Sequence, residues 1–401
     1  MAGAPGVAGS LAAVRVGLVC PYSLSLPGGV QGQVLGLAAA LRRKGVEARV
    51  LGPCDGPPPD ASVTALGNSV PTAGNGSMAA VAPDPAAALR TIRALRDEAF
   101  DVVHVHEPMV PAVSLTALVF CEGPMVGTFH RSGESAAYRA ARPFVRWAAT
   151  RLDLRAAVSE EARVTATEAL GGDYEIVWNG IDPHRFEAAE PSPTSGPTVV
   201  FVGRHEPRKG LAVLVEAFER LGPDARLWVI GEGPETERLR RRTTGDPRVE
   251  WLGVVGEDEK LRRLAGADVF CAPSLGGESF GVVLLEGMAA GCAVVASDLD
   301  GYRNVGRAGI DALMVPPGDV DALAAALRLV LAGGPDTDRL KASGRDRAAR
   351  FSLDRLATRY LEMYEQVAAR PRSTVAGPAG DQVPAVARRG VRPSWHLRRV
   401  R

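Results

Sequence analysis

Gly276-Gly277-Glu278-Ser279-Phe280-Gly281-Val282-Val283-Leu284-Leu285-Glu286-Gly287-Met288-Ala289-Ala290-Gly291 is a glycine-rich turn that runs into an apolar helix. Short valine-rich runs at residues 269–272 and 293–297 flank it, with the length and composition of buried strands. Strand, helix, strand in that order is the repeating unit of a parallel α/β sheet. A glycine turn opening a helix presents free backbone N–H groups and the positive end of the helix dipole, which suits an anion. Glu278 and Glu286 are eight residues apart, a little over two helical turns, so a helix through both would set the two carboxylates on one face beside that anion seat. A nucleotide sugar has the matching shape: sugar, diphosphate, ribose.

Outward from this stretch the same alternation fills the chain. The first half predicts strands at residues 14–20, 48–51, 102–106, 125–130, 155–159 and 175–178, with helices such as 30–43 and 160–169 between them. A Pro- and Gly-rich linker at 188–197 follows, and then strands at 198–203, 227–231, 249–252, 269–272, 293–297 and 312–315. The expectation is α/β: two doubly wound halves, 14–187 and 198–351, whose ligands bind beyond the carboxyl ends of the strands, in the cleft between the halves. Residues 1–13 lack a basic n-region and are expected to form a flexible leader. Residues 371–401, with Arg388, Arg389, Arg392, Arg398, Arg399 and Arg401 among Pro, Gly and Val, are expected to be a disordered basic tail, solvated or a weak tether to anionic lipid.

Composition narrows the function classes. With 401 residues and 46% hydrophobic content the chain can bury two cores, and its net charge of +1 gives no global field toward nucleic acid. Five scattered cysteines without a Cys-x-x-Cys point to reduced thiols in a cytoplasmic protein, and no apolar run reaches the roughly 20 residues of a membrane span. Membrane contact would therefore be peripheral.

The motifs that follow each lie just after a strand. Tyr22 and then Pro27-Gly28-Gly29-Val30-Gln31 follow the first strand; paired glycines let a backbone approach a ligand closely, and the spacing is not that of a dinucleotide fingerprint. Arg204 ends the first strand of the second half and Lys209 lies in the run that opens the next helix; together they form a cationic clamp for a diphosphate, arginine as a fork and lysine as a point charge. His130, at the end of residues 125–129, is placed to hydrogen-bond a sugar hydroxyl. His104-x-His106-Glu107 has no third ligand at a telling spacing, so it is read as strand-end residues bordering the acceptor cleft rather than as a metal site. Asp298-x-Asp300 is read as a loop, and no metal site is expected.

The Glu278/Glu286 pair resembles that of the retaining glycosyltransferases with two Rossmann-like domains, the GT-B fold, in which the first glutamate meets the transferred sugar and the second the ribose. Arg204 and Lys209 match that family's phosphate-binding pair, and Thr128-Phe129-His130 its sugar-contacting histidine. Residues 14–368 resemble the bacterial phosphatidylinositol mannosyltransferases through Val19-Cys20-Pro21-Tyr22-Ser23, Pro27 to Gln31, His104-x-His106-Glu107-Pro108, Glu206-Pro207-Arg208-Lys209-Gly210, Cys271-Ala272-Pro273, Gly276 to Gly281 and Val294 to Asp300. The resemblance implies a helix at 352–370 that crosses back to the first domain. It implies retaining transfer of mannose from GDP-mannose to phosphatidylinositol at the inner face of the plasma membrane, with no tightly bound cofactor and with stimulation by Mg2+ left open. His130, Arg204, Lys209 and Glu278 would be catalytic. Donor contacts would come from Gly28, Gly29, Val255, Lys260, Ser279, Phe280, Gly281 and Glu286, and acceptor contacts from Tyr22, Gln31, Asn75, Ser77 and His130.

Two departures bear on the acceptor. The family flanks Asn75-Gly76-Ser77 with a tyrosine and an arginine where this chain has Gly74 and Ala80. Loss of a charge-assisted contact to phosphate costs about 1.5–3 kcal/mol. The family also docks on anionic membrane through a basic amphipathic helix; residues 84–96 supply Leu89, Ile92 and Leu95 as an apolar stripe with Arg90, Arg93 and Arg96 beside it, or else an ordinary core-facing helix. The alternatives are the same fold acting on another acceptor or with a UDP-sugar, and a sugar-nucleotide epimerase.

Overall fold

The computed structural model describes residues 14–74, 77–133 and 141–369; the leader, Asn75 and the basic tail lie outside them. Valine-rich segments that bury both faces form parallel strands, as expected where helices cover a sheet on both sides. The strands of the first half are β1 (Arg15–Val19), β2 (Glu47–Gly52), β3 (Val63–Ala65), β4 (Val70–Gly74), β5 (Ser77–Val81), β6 (Val102–His106), β7 (Met125–Phe129), β8 (Leu154–Ala157) and β9 (Glu175–Ile176). Seven make a parallel sheet of order β3-β2-β1-β6-β7-β8-β9, and β4 and β5 form a separate antiparallel hairpin. The second sheet uses β10 (Thr198–Val202), β11 (Arg226–Ile230), β12 (Val249–Gly253), β13 (Val269–Ala272), β14 (Ala293–Ser297) and β15 (Ala312–Val315) in the order β12-β11-β10-β13-β14-β15. The strand order reverses between β1 and β6 in one sheet and between β10 and β13 in the other, and such switch points are where open α/β sheets hold ligands.

The first half carries helices α1 (Gly29–Arg43), α2 (Pro85–Glu98), α3 (Val113–Phe120), α4 (Arg142–Ala149) and α5 (Glu160–Leu170), and α6 (Pro183–Glu187) begins the connection. The second carries α7 (Leu211–Phe218), α8 (Thr236–Arg242), α9 (Glu257–Gly266), α10 (Val282–Ala289), α11 (Asp300–Arg303), α12 (Val320–Leu331), α13 (Pro335–Arg350) and α14 (Leu353–Ala368). Helices α2 to α5 share one core on one face of the first sheet, and α1 and α14 share another core with the same sheet's strands. On α14, Leu353, Leu356, Ala357, Tyr360, Met363, Tyr364 and Val367 are buried at helical spacing. They seat it against α1, so the chain's last described helix returns to the first domain. All five cysteines are unpaired and buried. Among the described residues no helix is long and apolar enough to cross a membrane.

The return of α14 corrects the reading of His104. This residue is fully buried, with Nδ1 2.7 Å from the Tyr364 hydroxyl and Nε2 2.7 Å from Thr128 Oγ1, which in turn lies 2.9 Å from the Tyr360 hydroxyl. His104 therefore ties α14 to the sheet and borders no cleft; His106 is also buried. Burial disfavours the imidazolium, and it pushes both His104 and His130 down to about 3, with His106 also well below its usual value. The unfolded chain, with histidines near 6.5, takes up protons that the folded chain refuses. The histidines' contribution to stability should be full above about pH 6.5 and should fall as the pH drops toward 3, opposed in part by Glu107, whose carboxyl burial pushes up to about 7. Thermal midpoints measured down that range should decline, with the decline reduced in His104→Gln; an equal decline in that variant contradicts the assignment.

Candidate active site

The turn after β10 and the turn after β13 stand side by side because these strands are neighbours. Arg204 leaves β10, and Pro207–Lys209 form a single 3-10 turn ending at Gly210. Gly210 has φ 68°, and any Cβ there would collide with the Pro273 carbonyl, so glycine lets the two turns touch. Lys209 Nζ reaches Glu278 Oε1 at 2.6 Å. The same oxygen accepts from Ser274 Oγ at 3.1 Å and lies 3.3 Å from Arg208 NH1. Ser274 Oγ is 2.8 Å from the Tyr302 hydroxyl. Because a carboxylate only accepts, Ser274 donates to Glu278 and Tyr302 donates to Ser274. Burial, with the Glu278 charge second, pushes the Tyr302 phenol well above its usual value, which keeps it protonated for that task.

Glu206, whose side chain is 5% exposed, sits between Arg204 and Arg208 at 3.2 and 3.0 Å. The clamp thus holds three cations, Arg204, Arg208 and Lys209, whose spacing is set by Glu206 and Glu278. Arg208 and the Ser274–Tyr302 relay were not singled out from the sequence, although Arg208 lies inside the Glu206 to Gly210 run.

The shared helical face expected for Glu278 and Glu286 is not what the structure shows. Gly281 caps α10 with φ 97°, so the helix starts at Val282 and Glu278 stands in the turn before it. The two carboxylates are held by different cations. Glu286 Oε1 is 3.2 Å from Lys260 Nζ, which also meets Glu257 at 3.1 Å. Burial pulls the Lys260 ammonium down, but Glu286 and Glu257 outweigh it and the net shift is upward. Lys260 therefore fixes Glu286, and Val255 packs half-buried just before α9. Ser279 is half-buried, while the Phe280 ring is buried and stacks on Trp178 at 5.7 Å, which leaves only its backbone to face a ligand. This stack and the Asn304 Nδ2 bond to Glu161 Oε2 at 2.8 Å join the ligand turns of the second half to the first.

In the first half, Gly28 caps α1 and Gly29 begins it, both exposed. Gln31 folds back to donate to the Ser23 carbonyl at 3.3 Å. Tyr22 bridges to Val81 of the hairpin, and Ser23 N–H donates to the Ala80 carbonyl at 2.9 Å. These contacts fix the base of the hairpin, where Val70 pairs with Val81, beside Tyr22; of the expected 75–77 acceptor loop, only the backbone of Ser77 at the start of β5 falls among the described residues. His130 has Nε2 2.9 Å from His106 Nδ1, and its N–H donates to Glu107 Oε1 at 2.7 Å. Asp298 and Asp300 both pair with Arg303, the behaviour of a braced loop. Among the described residues no three His, Cys, Asp or Glu side chains group to hold a metal ion.

Two parallel sheets, the second with a cationic clamp and two carboxylates at its switch point, have the arrangement of a GT-B glycosyltransferase. The model of Glycosyltransferase Family 4 matches residues 27–185 and that of Glycosyl transferases group 1 matches residues 196–333. Among solved structures, Anabaena HepE in complex with UDP and glucose has a TM-score of 0.69 over 88% of this chain and 100% of that one at 17% identity. A glycosyltransferase from Rickettsia africae scores 0.70 over 90% and 100%, also at 17% identity. These likenesses show the fold. The phosphatidyl-myo-inositol mannosyltransferase of Mycobacterium leprae is 40% identical over 88% of this chain and 97% of its own length, and that of Propionibacterium freudenreichii 36% identical over 73% and 79%. The chain belongs to this phosphatidyl-myo-inositol mannosyltransferase family.

Proposed function

We propose that the protein transfers mannose from GDP-mannose to an inositol hydroxyl of phosphatidylinositol with retention of anomeric configuration. The observation that supports this chemistry is the Lys209–Glu278 contact between the turns after β10 and β13, which brings a cation and a carboxylate together at one switch point. Arg204, Arg208 and Lys209 neutralise the departing diphosphate, aided by amides near Gly29 and Phe280. Glu278 and His130 orient the mannose, and Glu286 the ribose. Glu278 Oε1 is engaged by Lys209, Arg208 and Ser274, which suits an orienting role rather than that of a nucleophile. The inositol oxygen attacks the anomeric carbon from the face the diphosphate leaves, and the departing phosphate oxygen takes the hydroxyl proton, so GDP and mannosylated lipid are the products. Any Mg2+ stimulation acts through the diphosphate. Calorimetry with GDP and UDP tests the donor: tighter GDP binding supports the reading, and tighter UDP binding opposes it. Gly74 and Ala80 favour a second reading, the same transfer to a different inositol-bearing or lipid acceptor.

The reading includes peripheral docking on the anionic cytosolic leaflet. Leu89, 67% exposed, projects from α2 on the same outward face as the exposed Arg93 and Arg96. Arg90 does not join them, because its Nε donates to the Leu66 carbonyl at 2.7 Å and braces the chain ahead of the hairpin. Helix α4, on the same side of the sheet, exposes Phe144 and Trp147 beside Arg142 and Arg146. Aromatic rings with flanking arginines suit a headgroup interface. At about 1 kcal/mol per cation, Arg93→Gln with Arg96→Gln should weaken binding to phosphatidylinositol vesicles about 25-fold at low salt. Unchanged vesicle affinity contradicts this docking face.

A further inference from the structure

We propose that His106 and Glu107, consecutive at the carboxyl end of β6, are positioning residues that clamp His130 so that its ring meets the donor sugar through a protonated Nδ1. The proposal rests on the reading of His130 as the sugar-contacting residue. Strands β6 and β7 pair in parallel with His106 opposite Thr128, so the two strand ends bring His106 and His130 together. His106 Nδ1 lies 2.9 Å from His130 Nε2, and the two rings sit 5.2 Å apart between centroids. His104 backs His106 at 4.2 Å, and Ser114 Oγ holds the His106 carbonyl at 2.9 Å.

Two neutral imidazoles in such contact share one N–H, and the environment of His106 decides which ring owns it. Among the described residues His106 Nε2 is buried without a hydrogen-bond partner. If His130 donated, His106 would carry its own proton on Nε2, which would bury an N–H with nothing to accept it. Orphaned N–H groups are the rarer and costlier case. His106 therefore donates from Nδ1 and keeps Nε2 bare. That places the His130 proton on Nδ1, the ring nitrogen left for a substrate, and makes His130 a donor toward a sugar oxygen.

Glu107 supplies the second grip. It adopts φ 45°, a left-handed conformation uncommon for a residue with a side chain, and its buried carboxylate accepts the His130 N–H at 2.7 Å. Strain of this kind persists where the surroundings over-determine it. The ring and the backbone of His130 are thus each fixed from adjacent positions on one strand.

The test begins with the tautomers of full-length protein labelled with 15N-histidine and measured without substrate. Nδ1-protonated His130 with bare Nε2 is expected; a proton on His130 Nε2 overturns the proposal, and neither result depends on the donor's identity. Turnover of whichever nucleotide sugar the enzyme uses follows. His106→Leu should lower kcat about tenfold or more, and His106→Asn, whose amide nitrogen takes the place of Nδ1, should recover it to within about threefold. Glu107→Gln should likewise retain what Glu107→Ala loses. Equal rates in the Leu and Asn variants at matched thermal midpoints overturn it.

Discussion

Lys209→Ala should slow turnover at least about a hundredfold while the protein stays folded. The reasoning runs from charge development. When the bond from sugar to diphosphate breaks, negative charge grows on the phosphate oxygens, and a donor already in place stabilises that charge without reorganisation. Loss of one such donor costs about 2.7–4 kcal/mol of the barrier. The Lys209 side chain is 18% exposed and its ammonium is fixed by Glu278, so it is ordered before the substrate arrives. Removing it still leaves Glu278 with Ser274 and Arg208, which is why the fold should survive. Circular dichroism and thermal midpoints alongside the rate separate loss of chemistry from loss of structure. A near-normal rate contradicts the assignment.

Glu278→Ala should be equally slow for a different reason. Its carboxylate gathers Lys209, Arg208 and the Ser274–Tyr302 relay at one oxygen. Its loss removes the sugar contact and also loosens the cations, with an expected fall in turnover of at least about a hundredfold. Glu278→Gln separates the two effects. The amide keeps the size and an acceptor but removes a negative charge from the anion seat, so a nucleoside diphosphate should bind at least as tightly while kcat falls. Weaker diphosphate binding together with normal kcat would show that Glu278 only scaffolds the loop.

Much of the site was legible because strand ends are legible. Valine-rich runs marked the strands, and the residues just past them, Arg204, Lys209 and Glu278, are brought together by the neighbouring positions of β10 and β13. What failed to show in sequence was decided at a distance or by one backbone angle. The glycines at 276–277 suggested that the helix begins there, but Gly281 holds the positive φ that starts it, so Glu278 and Glu286 reach their places by separate cations rather than by helical period. His104 was placed at the cleft with His106, yet whether its side of β6 is covered depends on α14, some 250 residues later, and no signal near His104 announces its arrival. The hairpin of β4 and β5 was missed because Pro71, Gly74 and Gly76 disguise its strands as loop. Arg90 looked like its neighbours on α2, and its contacts to the Leu66 carbonyl and Asp84 set it apart.

The central claim is transfer of mannose to an inositol lipid, and lipid product is its most direct measure. Purified protein would be incubated with GDP-mannose and phosphatidylinositol vesicles, with UDP-sugars and acceptor-free samples in parallel, while nucleotide release and lipid mass are followed. Lipid heavier by one hexose, formed only with GDP-mannose and with matching GDP release, is the predicted result. GDP release with unchanged lipid, or hexose added from a UDP-sugar instead, would contradict it.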